Sequence, residues 1–150
     1  MSPETDTRTV QPYLSFEGRC EEALEFYRNA LDAEVTALIR YSDSPDPSAC
    51  APGTGNKIMH ASLRIGQTIL LASDGRCAGQ PKFQGISLAL TTPTVEDTKR
   101  TFAALAKDGQ VMLPLTQSFF SPSFGMVADR FGVLWMVQFA PAGAQLQPAA

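Results

Sequence analysis

Two helical patterns, each bracketed by short strand-like runs, recur in the two halves of this chain, and that repeat limits what it can fold into. Cys20, Ala23, Leu24, Tyr27, Ala30 and Leu31 recur at helical spacing, with Phe26 widening the apolar stripe and Glu21, Glu22, Glu25, Arg28 and Asn29 filling the rest. In the second half, Thr94 reads as an N-cap, and Val95, Phe102, Leu105 and Ala106 form the apolar stripe of a helix reaching about Lys107. Gly109 stands where a left-handed C-terminal residue is wanted. A strand is predicted before each helix, at Tyr13–Phe16 and at Gly85–Thr91, and three follow each. Those after the first helix are Ala33–Tyr41, Lys57–Gly66 and Thr68–Ser73; those after the second are Gln110–Leu115, Phe124–Ala128 and Val133–Phe139. Each half therefore reads strand, helix, strand, strand, strand. One helix cannot cover both faces of its own sheet, so two such sheets are expected to face each other.

The clearest alternation lies in Lys57–Gly66. Met59, Ala61, Leu63 and Ile65 share one face, expected to pack under the helix, while Ile58, His60, Ser62 and Arg64 share the other. Gly66-Gln67 turns this strand into Thr68–Ser73 as a hairpin. In Gly85–Thr91, Ile86, Leu88 and Leu90 form the predicted buried face, and Pro114 marks Gln110–Leu115 as an edge strand or a bulge. The turn Asp129–Gly132 leads into the last strand, where Val133, Trp135, Val137 and Phe139 alternate with Leu134, Met136 and Gln138; Trp135 is assigned to the core. Asp74 and Asp129 adjoin turns, where carboxylates cap backbone donors. The predicted organisation is a polar tail (1–11), a first module (12–74) with a long surface loop at Ser42–Asn56, a linker (75–84), a second module (85–139), and a tail (140–150) expected to be disordered.

Composition excludes several functional classes. With 150 residues, one compact body is expected, either one domain or two half-size units sharing a core. A net charge of -3 and no Lys/Arg cluster argue against a nucleic-acid surface. No apolar run approaches the ~20 residues of a membrane span, so no membrane partner is expected. The polar start of the chain lacks the apolar stretch of a signal peptide, which makes a cytoplasmic location the expectation. Cys20, Cys50 and Cys77 are widely spaced without a C-x-x-C pair, as suits reduced thiols.

Six pieces carry a family resemblance in order: Tyr13-Leu14-Ser15-Phe16; Glu22-Ala23-Leu24-Glu25-Phe26-Tyr27; Met59-His60-Ala61 with Arg64-Ile65-Gly66; Ala72-Ser73-Asp74; Phe124-Gly125; and Asp129-Arg130-Phe131-Gly132-Val133-Leu134-Trp135-Met136. Together, over Tyr13–Phe139, they resemble the PhnB-like branch of the vicinal oxygen chelate superfamily, with glyoxalase I, bleomycin-resistance proteins and extradiol dioxygenases. The resemblance implies an α+β fold: two tandem β-α-β-β-β modules forming U-shaped mixed sheets with a concave ligand cavity. It also implies a homodimer, with modules often paired between chains.

Catalytic members of that superfamily hold a divalent metal through His and Glu side chains. The corresponding positions here are Pro12–Leu14, Ile69–Leu71, Gly85-Ile86-Ser87 and Met136. None offers an imidazole or carboxylate, and a thioether suits a hard cation poorly. No metal or other cofactor is therefore expected. His60, the only histidine, lacks a second ligand at suitable spacing; a hydrogen-bonded structural role and a ligand contact are both open to it. Arg64 suits a carboxylate or phosphate, and Phe119, Phe120 and Phe124 suit a pocket wall or an interface. The candidate ligand contacts are thus His60, Ser62, Arg64, Ser87, Phe119, Phe120, Phe124 and Met136. The expected function is binding of a small molecule without the superfamily metal, the alternative being a metal-dependent lyase, isomerase or dioxygenase. A methyltransferase label attached to this branch is set aside, because Gly53-Thr54-Gly55 lies in a loop and opens no helix.

Overall fold

The computed structural model describes residues 6–45, 53–119 and 121–140, which form two units, Met1–Gln80 and Pro81–Ala150. The first contains β1 (Tyr13–Ser15), α1 (Cys20–Leu31), β2 (Glu34–Arg40), β3 (Ile58–Ile65) and β4 (Thr68–Ser73). Its sheet has the order β1-β4-β3-β2; β1 runs parallel to β4, and the other neighbours are antiparallel. The amphipathic spacing of α1 buries Cys20, Ala23, Leu24, Tyr27 and Ala30. On the sheet, Leu14, Ala61, Leu63, Leu70 and Ala72 are buried, and Phe16, just beyond β1, meets Tyr27 at a ring-centroid separation of 6.2 Å. These residues mark the helix-covered face. Burying each large side chain contributes about 1.5–3 kcal/mol.

The second unit repeats this order with β5 (Leu88–Thr92), α2 (Val95–Ala106), β6 (Gln110–Thr116), β7 (Phe124–Ala128) and β8 (Leu134–Phe139). The sheet order is β5-β8-β7-β6, with β5 parallel to β8. Val127, Trp135 and Val137 are buried, as are Phe102 and Leu105 of α2, and a Cβ added at Gly125 would lie 2.7 Å from Phe102 Cε2. That close approach places Gly125, Val127, Trp135 and Val137 on the face that α2 covers. The architecture is the expected α+β pair of mixed four-stranded sheets, one helix to each. Among the described residues no helix is long and apolar enough to cross a membrane.

Four details differ from the sequence reading. Thr98 and Thr101 are buried in α2, whereas Val95 and Ala106 are only half-buried. The Thr98 hydroxyl donates to Thr94 O at 2.9 Å and is bonded to the Thr92 hydroxyl, so its polar atom is satisfied inside. Gly109 is not left-handed; Asp108 takes the positive φ of 61°, and a Cβ on Gly109 would collide with the Ala128 carbonyl. Glycine is needed there for close approach rather than for a turn. Ile86 is 55% exposed and precedes β5, because pairing with β8 begins only at Leu88 opposite Trp135. In β3, Ala61 and Leu63 are buried as predicted, but Met59 and Ile65 are half-buried and Ile58 is fully buried. Ile58 is anchored by the Asp74 carboxylate and backbone, so its burial follows that junction and not the alternation. Of the Ser42–Asn56 loop, a short 3-10 turn occupies Tyr41–Asp43 and residues 46–52 lie outside the described set, as do 1–5, Phe120 and the tail 141–150.

Candidate functional site

Strand registers define the face of the first sheet that α1 leaves uncovered. Tyr13 lies opposite Leu71, Ser15 opposite Ser73, Ser62 opposite Leu71, His60 opposite Ile39 and Arg64 opposite Glu34. Paired residues share a face, so Tyr13, Ser15, His60, Ser62, Arg64 and Ser73 all stand on the open side. Tyr13 reaches across β4: its hydroxyl lies 3.1 Å from His60 Nδ1, and the two rings are 5.7 Å apart and tilted by 43°. Neither His60 Nε2 nor the Ser62 hydroxyl has a protein hydrogen-bond partner among the described residues. Both side chains are half-buried. Arg64 is exposed and ion-paired with Glu34 across the β2–β3 pair, so its guanidinium is held at the sheet edge.

One end of this sheet is fixed by a buried carboxylate. Asp74 is 1% exposed; Oδ1 accepts from the Cys20 N–H at 2.7 Å and Oδ2 from the Ile58 N–H at 2.6 Å. A single carboxylate thereby joins the start of α1 to the start of β3, where the helix N-terminus favours negative charge. The same surroundings disable Cys20: burial, then the negative charges of Asp74 and Glu21, push its thiol up to about 12. Beside β1, the Ser15 hydroxyl donates to Glu17, which holds that carboxyl below its usual range. Asp129 plays a matching part in the second unit. Its Oδ1 accepts from the Phe131 and Val133 N–H groups and its Oδ2 from Trp135 Nε1 at 2.9 Å. Both aspartates are thus joints of the frame, as their turns suggested.

The candidates in the second unit fall on different elements. Ser87 is half-buried just before β5, Phe119 is 89% exposed after β6, and Phe124 is buried as the first residue of β7. Phe120 lies outside the described residues. Met136 is half-buried on the face of β8 away from α2, directly opposite Met126 on β7 and Ala89 on β5. Two residues escaped the sequence reading. Tyr13 reads in the sequence as a strand residue within the non-coordinating Pro12–Leu14 position; the parity it shares with His60 through β4 is the available signal, and it requires knowing the strand order. Met126 was hidden because its neighbour depends on the β7–β8 register.

A divalent metal of the kind the resemblance implies would need imidazole or carboxylate donors at these positions. On β1 the open-face position is Tyr13, already bonded to His60; Ile69 and Leu71 are aliphatic; Ser87 and Met136 supply a hydroxyl and a thioether. Among the described residues no three His, Cys, Asp or Glu side chains converge. This donor set does not fit a hard divalent cation, which takes several imidazole or carboxylate ligands.

Comparisons with known proteins place this geometry in a family. Residues 8–138 match the family model for 3-demethylubiquinone-9 3-methyltransferase. The chain is 33% identical over 136 residues to Protein YjdN of Escherichia coli K12, covering 85% of this chain and 92% of that protein. Among solved structures it is similar to PA1353 from Pseudomonas aeruginosa, at 38% identity and a TM-score of 0.79, over 90% of this chain and 99% of that one. It is also similar to the Bacillus cereus PhnB protein, a putative 3-demethylubiquinone-9 3-methyltransferase, at 30% identity and a TM-score of 0.74, over 89% and 100% of the two chains. At 10% identity the fold is shared with the fosfomycin resistance protein FosX of Listeria monocytogenes, with a TM-score of 0.59 over 89% and 93%. From the span of the family model and the likeness to YjdN and PhnB, the chain belongs to the PhnB-like family, whose model is described as 3-demethylubiquinone-9 3-methyltransferase.

Proposed function

We propose that this protein binds a small molecule on the open face of its first sheet, without the divalent metal used by catalytic members of the superfamily. The observation that carries this reading is the half-buried polar set there: Ser62 stands opposite Leu71 and His60 opposite Ile39, and neither His60 Nε2 nor the Ser62 hydroxyl has a protein partner among the described residues. Half-buried polar atoms on an apolar background are what an orienting ligand contact requires. Met136, at the position of a metal-binding glutamate, supports the metal-free part of the reading. Arg64 contributes charge only when a ligand competes with Glu34.

The methyl-transfer activity in the family description is not adopted. Methyl donors are usually held at a glycine-rich turn between a parallel strand and a helix. Here Thr54 precedes β3, and that strand pairs antiparallel with both its neighbours.

Two measurements test the proposal. Thermal-shift and equilibrium-dialysis screening of a metabolite and antibiotic panel is expected to yield a ligand whose affinity falls about tenfold in His60→Ala, the worth of a lost hydrogen bond in a partly buried site. Elemental analysis is expected to show substoichiometric Zn, Ni, Mn and Fe. Stoichiometric metal that disappears in His60→Ala would replace this reading with a metal-dependent one.

A further inference from the structure

The open face contains a pair whose chemistry restricts what the site can accept. The Tyr13 hydroxyl and His60 Nδ1 lie 3.1 Å apart, and neither atom has another protein partner among the described residues. A phenol is a good donor and a weak acceptor, whereas the unprotonated imidazole nitrogen is a strong acceptor, so the neutral pair settles as O–H donating to Nδ1. The imidazole hydrogen then resides on Nε2, because the bond made by one ring nitrogen selects the tautomer at the other. A protonated ring would turn the bond around, with Nδ1–H donating to the phenol oxygen, and Nε2 would still carry hydrogen. In both states the face presents a donor.

We propose that Tyr13 is a positioning residue that fixes His60 as an Nε2–H donor, so that the ligand group seated there is an accepting oxyanion such as a phosphate, phosphonate or carboxylate. The ligand class rests on the small-molecule reading above; the tautomer does not. The Ser62 hydroxyl, one residue further along the same face of β3, supplies a second donor without a protein partner among the described residues. Two donors on successive same-face positions match the spread oxygens of an oxyanion better than a cation, which Nε2–H cannot accept and the imidazolium form of His60 would repel.

The chain has one histidine, which makes the test direct. Imidazole-labelled protein gives a single pair of ring nitrogen-15 resonances. The wild type is expected to show a pyridine-like Nδ1 and a pyrrole-like Nε2 at a pH where the ring is neutral. In Tyr13→Phe, which keeps the exposed ring and loses the hydroxyl, the tautomer population should shift about fivefold, the worth of one ordinary hydrogen bond. A pyrrole-like Nδ1 in the wild type, or nitrogens unchanged by Tyr13→Phe, overturns the pairing whatever the ligand. Inorganic phosphate and acetate are then titrated against methylamine. Movement of Nε2 with the anions alone supports the ligand class, and movement with methylamine overturns it. If none of the three moves it while the tautomer is as stated, the binding reading fails and the pair stands.

Discussion

Gly75 has a φ of +56°, and an added Cβ would strike the Ser15 hydroxyl and the Glu17 carboxylate. Gly75→Ala is expected to cost about 1–3 kcal/mol by overpacking and backbone strain, measured by urea denaturation. The Ser15–Glu17 bond also has a pH signature. The Glu17 carboxyl is held below its ordinary 4.5 first by the Ser15 hydroxyl, so this contribution is present above that value and is lost as pH falls through the lowered one. Glu17→Gln should therefore melt below the wild type at pH 7, with the gap closing in more acidic solution; a gap independent of pH contradicts the assignment. Cys20 provides a chemical check. With its thiol pushed up to about 12 and no exposed surface, it should stay unmodified by iodoacetamide at pH 8 in native protein, as read by peptide mapping.

At the scale of elements, the β7–β8 hairpin depends on one carboxylate. Asp129 accepts from two turn N–H groups and from the indole of the only tryptophan. Asp129→Asn sets an amide donor against one of these three donors and is expected to cost about 1–3 kcal/mol, with an altered emission spectrum from Trp135. The pairing of these strands and the burial of Val133, Trp135 and Val137 were legible in the sequence because period-two alternation reports directly on a half-covered sheet, whereas Gln138 is buried and Phe139 only half-buried against that alternation. The threonine face of α2 was not: Thr98 reads as polar until its hydroxyl is seen bonded to Thr94 O. The aromatic residues of this region also part company in the tertiary structure. Phe119 and Phe124 are neighbours in sequence, but one is exposed in a connection while the other is buried in a strand.

At the scale of the whole molecule, one edge strand of each sheet exposes apolar side chains, Leu38 and Ile39 on β2 and Val111, Met112 and Leu113 on β6. Unpaired edges of this kind favour association with another chain. We expect light scattering to give the mass of a homodimer at micromolar concentration, and Met112→Lys to lower it if β6 is the edge used.

The sequence by itself determined the repeat of strand, helix, strand, strand, strand, and the residues alternating along β3 and β8. These are local properties, set by periodicity and residue type. Only the tertiary structure decided that Tyr13 belongs with His60, that Arg64 is held by Glu34, and that Met126 stands beside Met136. Those pairings depend on strand order and register. Parallel pairing of β1 with β4 brings together residues that the chain keeps far apart, and no local pattern encodes it.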